Sequence, residues 1–308
     1  MILITGASGL LGASLVARLG EEGREVVGLY HEHPPNSSGA KLVRVDLTEE
    51  SETRKIFEEL QPAIVIHCAA ATNVDWCQEH PDEAHTINVT MSRRIAEITS
   101  RTGTRMLYVS TDAVFDGARG GYAETDSPAP VNVYAQTKLQ GELEVQACNP
   151  LAAIARVNLY GWNAQPKQSL AEWILSQLDL GNVVPAFTDT VFCPISADDL
   201  AQVLLAMVDR ELVGLYHVVG SEPVSKYEFA RRVALTFGFD SARVVPARLA
   251  DARLRAPRPR NTSLNTEKIS AALGRLMPNV DSGLRKFVQL QAGGCVGRLK
   301  SPLAEARR

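Results

Sequence analysis

The chain has 308 residues, 45% hydrophobic and 22% charged, a composition that excludes disorder throughout. Thirty-two Lys and Arg against thirty-five Asp and Glu give a formal charge of -3, with no long block of one sign, so no nucleic acid is expected as partner. The longest apolar stretch, Ala63 to Ala71, contains His67 and falls far short of the roughly 20 residues of a membrane span, so no membrane partner is expected either.

The opening MILITG runs straight into a strand-like pattern with no basic region before it, so no secretory signal and a cytoplasmic location are expected. Apolar β-branched runs recur at Ile2 to Thr5, Glu25 to Tyr30, Leu42 to Val45, Ala63 to His67, Met106 to Ser110 and Ala153 to Val157. Stretches of helical period separate them, at Leu10 to Leu19, Glu52 to Leu60, Asp82 to Ser100 and Val133 to Ala147. This alternation predicts an α/β fold with a Rossmann-type doubly wound parallel sheet. The runs near Ile2, Ile64 and Met106 alternate little, as strands covered on both faces should.

After Val157 the elements shorten, at Ser169 to Leu180, Ala197 to Val208, Leu215 to Val219, Ser225 to Phe237 and Asp281 to Leu290. Residues 1–157 are therefore expected to form a dinucleotide-binding domain and 158–290 a smaller α/β substrate lobe with segments returning to the sheet. Residues 291–308, with Gly293, Gly294 and Gly297, read as a flexible tail. There is no internal repeat.

Five scattered cysteines, Cys68, Cys77, Cys148, Cys193 and Cys295, form no C-x-x-C pair and read as reduced thiols, with neither a disulfide framework nor a zinc site. His31 and His33 lie beside Pro34 and Pro35 with no further ligand nearby, so they read as loop residues and no metal is expected. Asp198 and Asp199 open a helix and are expected to cap it. Trp76 and Trp173 read as packing residues.

Thr5-Gly6-Ala7-Ser8-Gly9-Leu10-Leu11-Gly12 follows the first strand and opens the first helix. Gly6 would allow the tight turn, Gly9 the close approach to a pyrophosphate, and Gly12 the packing of helix on strand. The exposed N–H groups of Ser8, Gly9, Leu10 and Leu11 at that helix start would then face phosphates. At the end of the second strand, where a carboxylate would favour NAD(H), the chain has Tyr30 and His31, followed by Glu32. NADP(H) is therefore favoured, with NAD(H) possible.

Tyr134 and Lys138 form a Y-x-x-x-K pair one helical turn apart. A free tyrosine, with a pKa of about 10, exchanges protons poorly at neutral pH, and a nearby ammonium or an oxidised nicotinamide would lower that value. Tyr134 would protonate a carbonyl oxygen, Lys138 would hold the nicotinamide ribose, and the hydroxyl of Thr111 at the end of the fifth strand would position the substrate. No Gly-x-Ser-x-Gly elbow competes.

The T-G-x-x-G-x-x-G loop resembles that of extended short-chain dehydrogenase/reductases. That resemblance places Asp46 and Leu47 at the adenine, and Ala69, Ala70 and Ala71 beside the cofactor ribose, although close packing also explains the alanines. Val109 joins the cofactor set and Thr72 the substrate set. The segments STDAVFDG (Ser110 to Gly117), PVNVYAQTKLQGE (Pro130 to Glu142), PISADDLA (Pro194 to Ala201) and RPRNTSLNTEKI (Arg258 to Ile269) together resemble dTDP-4-dehydrorhamnose reductases, over Met1 to about Leu290.

The resemblance implies reduction of the 4-keto group of a dTDP-linked 6-deoxysugar, with Thr111, Tyr134 and Lys138 catalytic and Gly6, Gly9 and Gly12 holding the cofactor. Family members commonly carry a tyrosine at the position of Ala113 and an aromatic residue at that of Asn158, so both replacements alter the sugar pocket. Arg260, with Arg258, reads either as a contact to the nucleotide diphosphate or a partner, or as part of a rigid loop between Pro257 and Pro259. The run SKYEFARRVALTFGF and the RPRN motif are also similar to the regulatory beta subunit of methionine adenosyltransferase, which implies an NADP-binding subunit for a partner enzyme. Sugar-nucleotide epimerase or dehydratase chemistry is a third reading, and a homodimer remains open.

Overall fold

The computed structural model describes residues 1–35, 40–165 and 167–292. The first half comprises β1 (Ile2–Thr5), α1 (Leu10–Glu21), β2 (Val26–Tyr30), β3 (Lys41–Arg44), α2 (Glu50–Leu60) and β4 (Ile64–His67). It continues through α3 (Val74–Glu79), α4 (Pro81–His85), a π-helical turn at Thr86–Thr90, α5 (Met91–Thr102), β5 (Arg105–Thr111), α6 (Val133–Cys148) and β6 (Ala153–Val157). The second half opens with β7 (Leu159–Tyr160), α7 (Leu170–Asp179), β8 (Val184–Phe187), β9 (Val191–Phe192) and β10 (Ile195–Ser196). It closes with α8 (Ala197–Asp209), β11 (Gly214–His217), β12 (Val224–Ser225), α9 (Lys226–Thr236), β13 (Val244–Ala247), α10 (Glu267–Leu273) and α11 (Val280–Ala292).

Seven strands form one sheet in the order β11-β6-β5-β4-β1-β2-β3, all neighbours parallel. The alternating pleat of β1 explains its unbroken apolar sequence. Ile2 and Ile4 point into a core with Leu15 of α1 and Leu200, Leu204 and Met207 of α8. Leu3 points to the other face, with Ile56 of α2, Ile95 of α5 and Val145 of α6. The sheet is thus a central layer between two layers of helix.

A second core gathers Trp162, Ile174, Phe192, Phe229 and Phe287 under α7, α9 and α11, with three two-stranded pairings (β10–β7, β12–β9 and β13–β8) around it. Between its strands the chain returns to the sheet: α8 covers β1, and β11 pairs with β6 as the seventh strand. Sequence periodicity does not announce α3, α10 or the two-residue strands, which are too short to show a period.

The helix expected over Asp82 to Ser100 is instead α4, the π-turn and α5 in succession. The turn aims Asn88 inward, where its Nδ2 donates to Ala71 O at 3.1 Å and Thr137 Oγ1 at 3.0 Å, while its Oδ1 accepts from Ala71 N at 2.9 Å. Such a π-insertion commonly marks a functional segment, and here it braces the chain leaving β4.

Ser196, not Asp198 or Asp199, caps α8, its hydroxyl accepting from Asp199 N at 3.1 Å. The two aspartates occupy the first turn, where Asp198 pairs with Arg18 at 2.7 Å and Asp199 with Lys286. Cys68, Cys77, Cys148 and Cys193 are free thiols, and Cys295 lies outside the described residues. So does the segment read as a tail, except Gln291 and Ala292, which end α11. Among the described residues no helix is long and apolar enough to cross a membrane.

Candidate functional site

A cleft of about 940 Å³ opens at the carboxyl ends of the strands, across the switch in strand order between β1 and β4. Its first wall is the glycine turn. Gly6 has φ +64, and a Cβ there would lie 2.7 Å from Ala69 N. A Cβ on Gly12 would lie 2.2 Å from Gly6 O, so only hydrogen lets α1 sit against the turn.

The N-cap of α1 is Gly9, with no side-chain cap and no acid in the first turn. The free N–H groups of this helix start therefore face the cleft and suit an anion. Ser110 Oγ, also on the lining, is buried with no partner among the described residues, an orphan that a bound ligand's polar atom would satisfy. The site accordingly fits a dinucleotide.

Gly6, Ser8, Gly9, Leu10, Leu11, Gly12, Tyr30, His31, Asp46, Leu47, Ala69, Ala70, Ala71, Val109, Tyr134 and Lys138, the expected cofactor residues, all lie on the lining. At the adenosine end His31 Nε2 stands 3.5 Å from Asp46 Oδ2, and Asp46 Oδ1 accepts from Thr48 N at 2.9 Å and Thr48 Oγ1 at 2.6 Å. Asp46 is thereby already engaged, whereas Glu32, two residues past the end of β2, also stands on the lining.

On the floor, the α6 turn brings Tyr134 and Lys138 to one face, with Asn132 capping the helix by accepting from Ala135 N at 2.9 Å. Lys138 is buried, its Nζ donating to Tyr108 Oη and Val109 O at 2.8 Å each. Burial lowers its pKa to about 7, against the opposing influence of Glu142. A Cβ on Gly141 would lie 2.5 Å from Tyr108 Oη, so that glycine lets α6 come close enough for the bond.

The expected lowering of the Tyr134 pKa is not found in the protein alone. Burial pushes it up to about 12, Thr111's side-chain hydrogen bond pulls it down, and the ammonium of Lys138 is turned to Tyr108 and Val109. Tyr134 therefore holds its proton, the state a proton donor needs.

A buried hydrogen-bond chain continues beneath. Thr5 Oγ1 accepts from Cys68 N at 3.1 Å and Ala69 N at 3.2 Å and so donates to His67 Nδ1 at 2.6 Å. His67 Nε2 then donates to Ser92 Oγ at 3.1 Å. Burial drives the His67 pKa down to about 3, so this link is neutral and ties the glycine turn to α5.

The substrate wall keeps Thr72, Thr111 and Asn158 of the expected set on the lining, but neither Ala113 nor Arg260. After Thr111 the chain enters a 3₁₀ turn, Asp112–Val114, which carries Ala113 off the lining. Arg260 is exposed, and its carbonyl accepts from Val191 N at 2.7 Å. Arg258 pairs with Asp75 at 3.0 Å and Asn132 Nδ2 donates to Pro257 O at 2.9 Å, which makes this segment a brace across α3 and α6.

Asn158 donates to Asp112 Oδ2 at 2.7 Å, and Thr262 donates to the same oxygen at 2.5 Å. Burial raises the Asp112 pKa, and these two bonds oppose the rise. Trp76, read from sequence as packing, lines the cleft and stacks on His80, while Trp173 lies partly exposed on α7. Lys167, Asn163, Gln165 and Gln168 complete this wall. Nothing in the sequence marked them, because their loop has no periodicity and joins the site only through the fold.

A doubly wound sheet with a glycine turn, a strand-end threonine and a Tyr-x-x-x-Lys helix on one cleft defines a Rossmann-type fold of the extended short-chain dehydrogenase/reductase class. Within it, the chain belongs to the family described as RmlD substrate binding domain, whose model matches residues 1–292. It is 33% identical to a probable low-salt glycan biosynthesis reductase of Haloferax volcanii over 91% of this chain and 95% of the relative. It is 32% identical to the methionine adenosyltransferase 2 subunit beta of Pongo abelii, over 90% of this chain and 84% of the relative. Among solved structures, dTDP-4-dehydrorhamnose reductase of Bacillus anthracis in complex with NADP superposes with a TM-score of 0.82 at 27% identity, covering 94% of this chain and 98% of that one.

Proposed function

We propose that the protein is an oxidoreductase that uses NADPH, with NADH as a substitute, to reduce a keto group on a nucleotide-activated sugar of the dTDP-4-dehydrorhamnose type. The observation that carries this reading is the meeting of Thr111, Tyr134 and Lys138 with the uncapped start of α1 on one cleft. A bound reduced nicotinamide would supply the hydride.

The chain's own residues supply the rest. Tyr134 holds its proton at neutral pH and delivers it from its hydroxyl to the carbonyl oxygen. Thr111 orients that oxygen, and Lys138, fixed by Tyr108 and Val109 O, holds the cofactor ribose. The engagement of Asp46 with Thr48 and His31, and the close of β2 on Tyr30 instead of an acid, support NADPH, while Glu32 on the lining is the carboxylate that leaves NADH as a substitute. The two departures at the sugar position act differently: Asn158 spends a donor on Asp112, whereas Ala113 lies off the cleft lining.

The test is cofactor oxidation, followed by the nicotinamide absorbance, against a panel of 4-keto nucleotide sugars with NADPH and NADH in turn. Turnover of one sugar, faster with NADPH, is expected. Identity to the methionine adenosyltransferase 2 subunit beta favours a second reading, an NADP-binding subunit of a partner enzyme. Tight NADPH binding with no oxidation by any sugar would replace the first reading by the second.

A further inference from the structure

The charges facing the cleft leave one group without work. The lysines on its lining are Lys138 and Lys167, and the adenosine end adds His31. Lys138, on the floor, is fixed by two short bonds and assigned to the cofactor ribose. Cations elsewhere near the substrate wall stand off the lining: Arg258 is paired with Asp75, and Lys226 lies over the Phe192 ring, facing the charge of Asp112.

Lys167 comes from the opposite wall, in the loop between β7 and α7. Its Nζ crosses to Thr72 Oγ1, beyond the end of β4, at 3.0 Å. Among the described residues this neutral hydroxyl is its only hydrogen-bond partner, and no carboxylate pairs with it. Lys167 is exposed at the mouth of the cleft, and the partial desolvation of its ammonium by the walls lowers its pKa, against the opposing influence of Cys77. Such a group gains when an anion arrives. The start of α1 already offers N–H groups to one diphosphate, that of the dinucleotide. A nucleotide-linked sugar brings a second diphosphate, and no other lysine or arginine on the lining is free to meet it.

We propose that Lys167 binds the diphosphate of the nucleotide-linked substrate, and that the Lys167–Thr72 bond is a clasp across the cleft that opens when the diphosphate takes the ammonium. Thr72 keeps Lys167 in place until then and afterwards frees its hydroxyl for the same ligand. The proposal rests on the nucleotide-sugar reading above.

The experiment compares the full-length wild type, Lys167→Met and Lys167→Arg, each saturated with NADPH, by calorimetric titration with thymidine diphosphate and with thymidine. Steady-state kinetics on the sugar that the panel identifies accompany the titrations. A hydrogen bond from a charged donor predicts diphosphate binding and KM for the sugar weakened about 10- to 100-fold in Lys167→Met. Binding of thymidine, NADPH affinity and kcat should stay within about threefold, and Lys167→Arg should recover most of the loss.

Wild-type turnover with an unchanged diphosphate affinity in Lys167→Met would overturn this proposal alone. An equal loss of NADPH affinity would assign Lys167 to the cofactor instead and also overturn it. Failure of the wild type to bind thymidine diphosphate and to reduce any sugar would overturn both this proposal and the reading beneath it.

Discussion

Tyr108→Phe tests how the protein keeps Lys138 charged. The substitution removes one of the two acceptors 2.8 Å from the buried Nζ, yet leaves the ring, whose centroid lies 4.2 Å from the same nitrogen, in the core. Burial has already lowered the Lys138 pKa to about 7 by disfavouring the ammonium, and the Tyr108 oxygen, as acceptor, favours it. Its removal therefore lowers the pKa further. A hydrogen bond to a charged group contributes about 1.5–3 kcal/mol, and one pKa unit corresponds to about 1.4 kcal/mol, so a fall of roughly 1–2 units is expected.

Activity that needs the ammonium is lost as pH rises through that pKa. The alkaline limb of kcat/KM for NADPH, which reports groups of the free enzyme, should thus move roughly 1–2 pH units toward acid, with activity at neutral pH down on the order of tenfold and recovered at lower pH. The assay is a pH series of cofactor oxidation on both proteins, with circular dichroism to show that the variant is folded. A folded variant whose alkaline limb coincides with that of wild type would refute the role given to Tyr108.

Three further outcomes follow from the same geometry. Tyr134→Phe should lower kcat on the order of 10²–10⁴-fold while NADPH affinity, read by fluorescence titration, stays nearly constant; wild-type turnover would exclude Tyr134 as donor. Gly12→Ala forces a methyl group onto Gly6 O, 2.2 Å away, so NADPH binding should be lost and the thermal midpoint should fall; unchanged binding would mean that the turn is not the phosphate seat. Glu142→Gln leaves buried Arg156, now 2.7 Å from the Glu142 carboxylate, without its counter-charge and should cost about 3–5 kcal/mol in urea unfolding, against less than about 1 kcal/mol if the pair is dispensable.

What could be read before the fold was known is what sits close together in the chain. The glycine turn spans seven residues between a strand and a helix, and Tyr134 and Lys138 are one turn apart, so local geometry alone joins them. The partner that fixes Lys138 comes from a strand thirty residues earlier, with nothing in the sequence to connect Tyr108 to it. The same holds for Asp112, whose carboxylate is shared by Asn158 and by Thr262 from 150 residues away. Ala113 and Arg260 stand off the cleft lining for a related reason. Each lies beside a motif, but Ala113 falls inside a 3₁₀ turn and Arg260 in an exposed segment whose backbone is tied to Val191, and neither is legible from local sequence.

The late return of α8 and β11 to the sheet also governs how the molecule is made. A nascent chain that has released only residues 1–157 already holds the glycine turn and the Tyr-Lys helix, but the Ile4 and Leu15 face still lacks Leu200, Leu204 and Met207. At translation rates of about 5–20 residues per second, the further sixty residues that complete that layer take roughly 3–12 s. During that interval an apolar face stays open to chaperones and to other nascent chains. The cofactor site is complete in sequence by Lys138, but the sheet beneath it gains its last strand and its covering helix only afterwards.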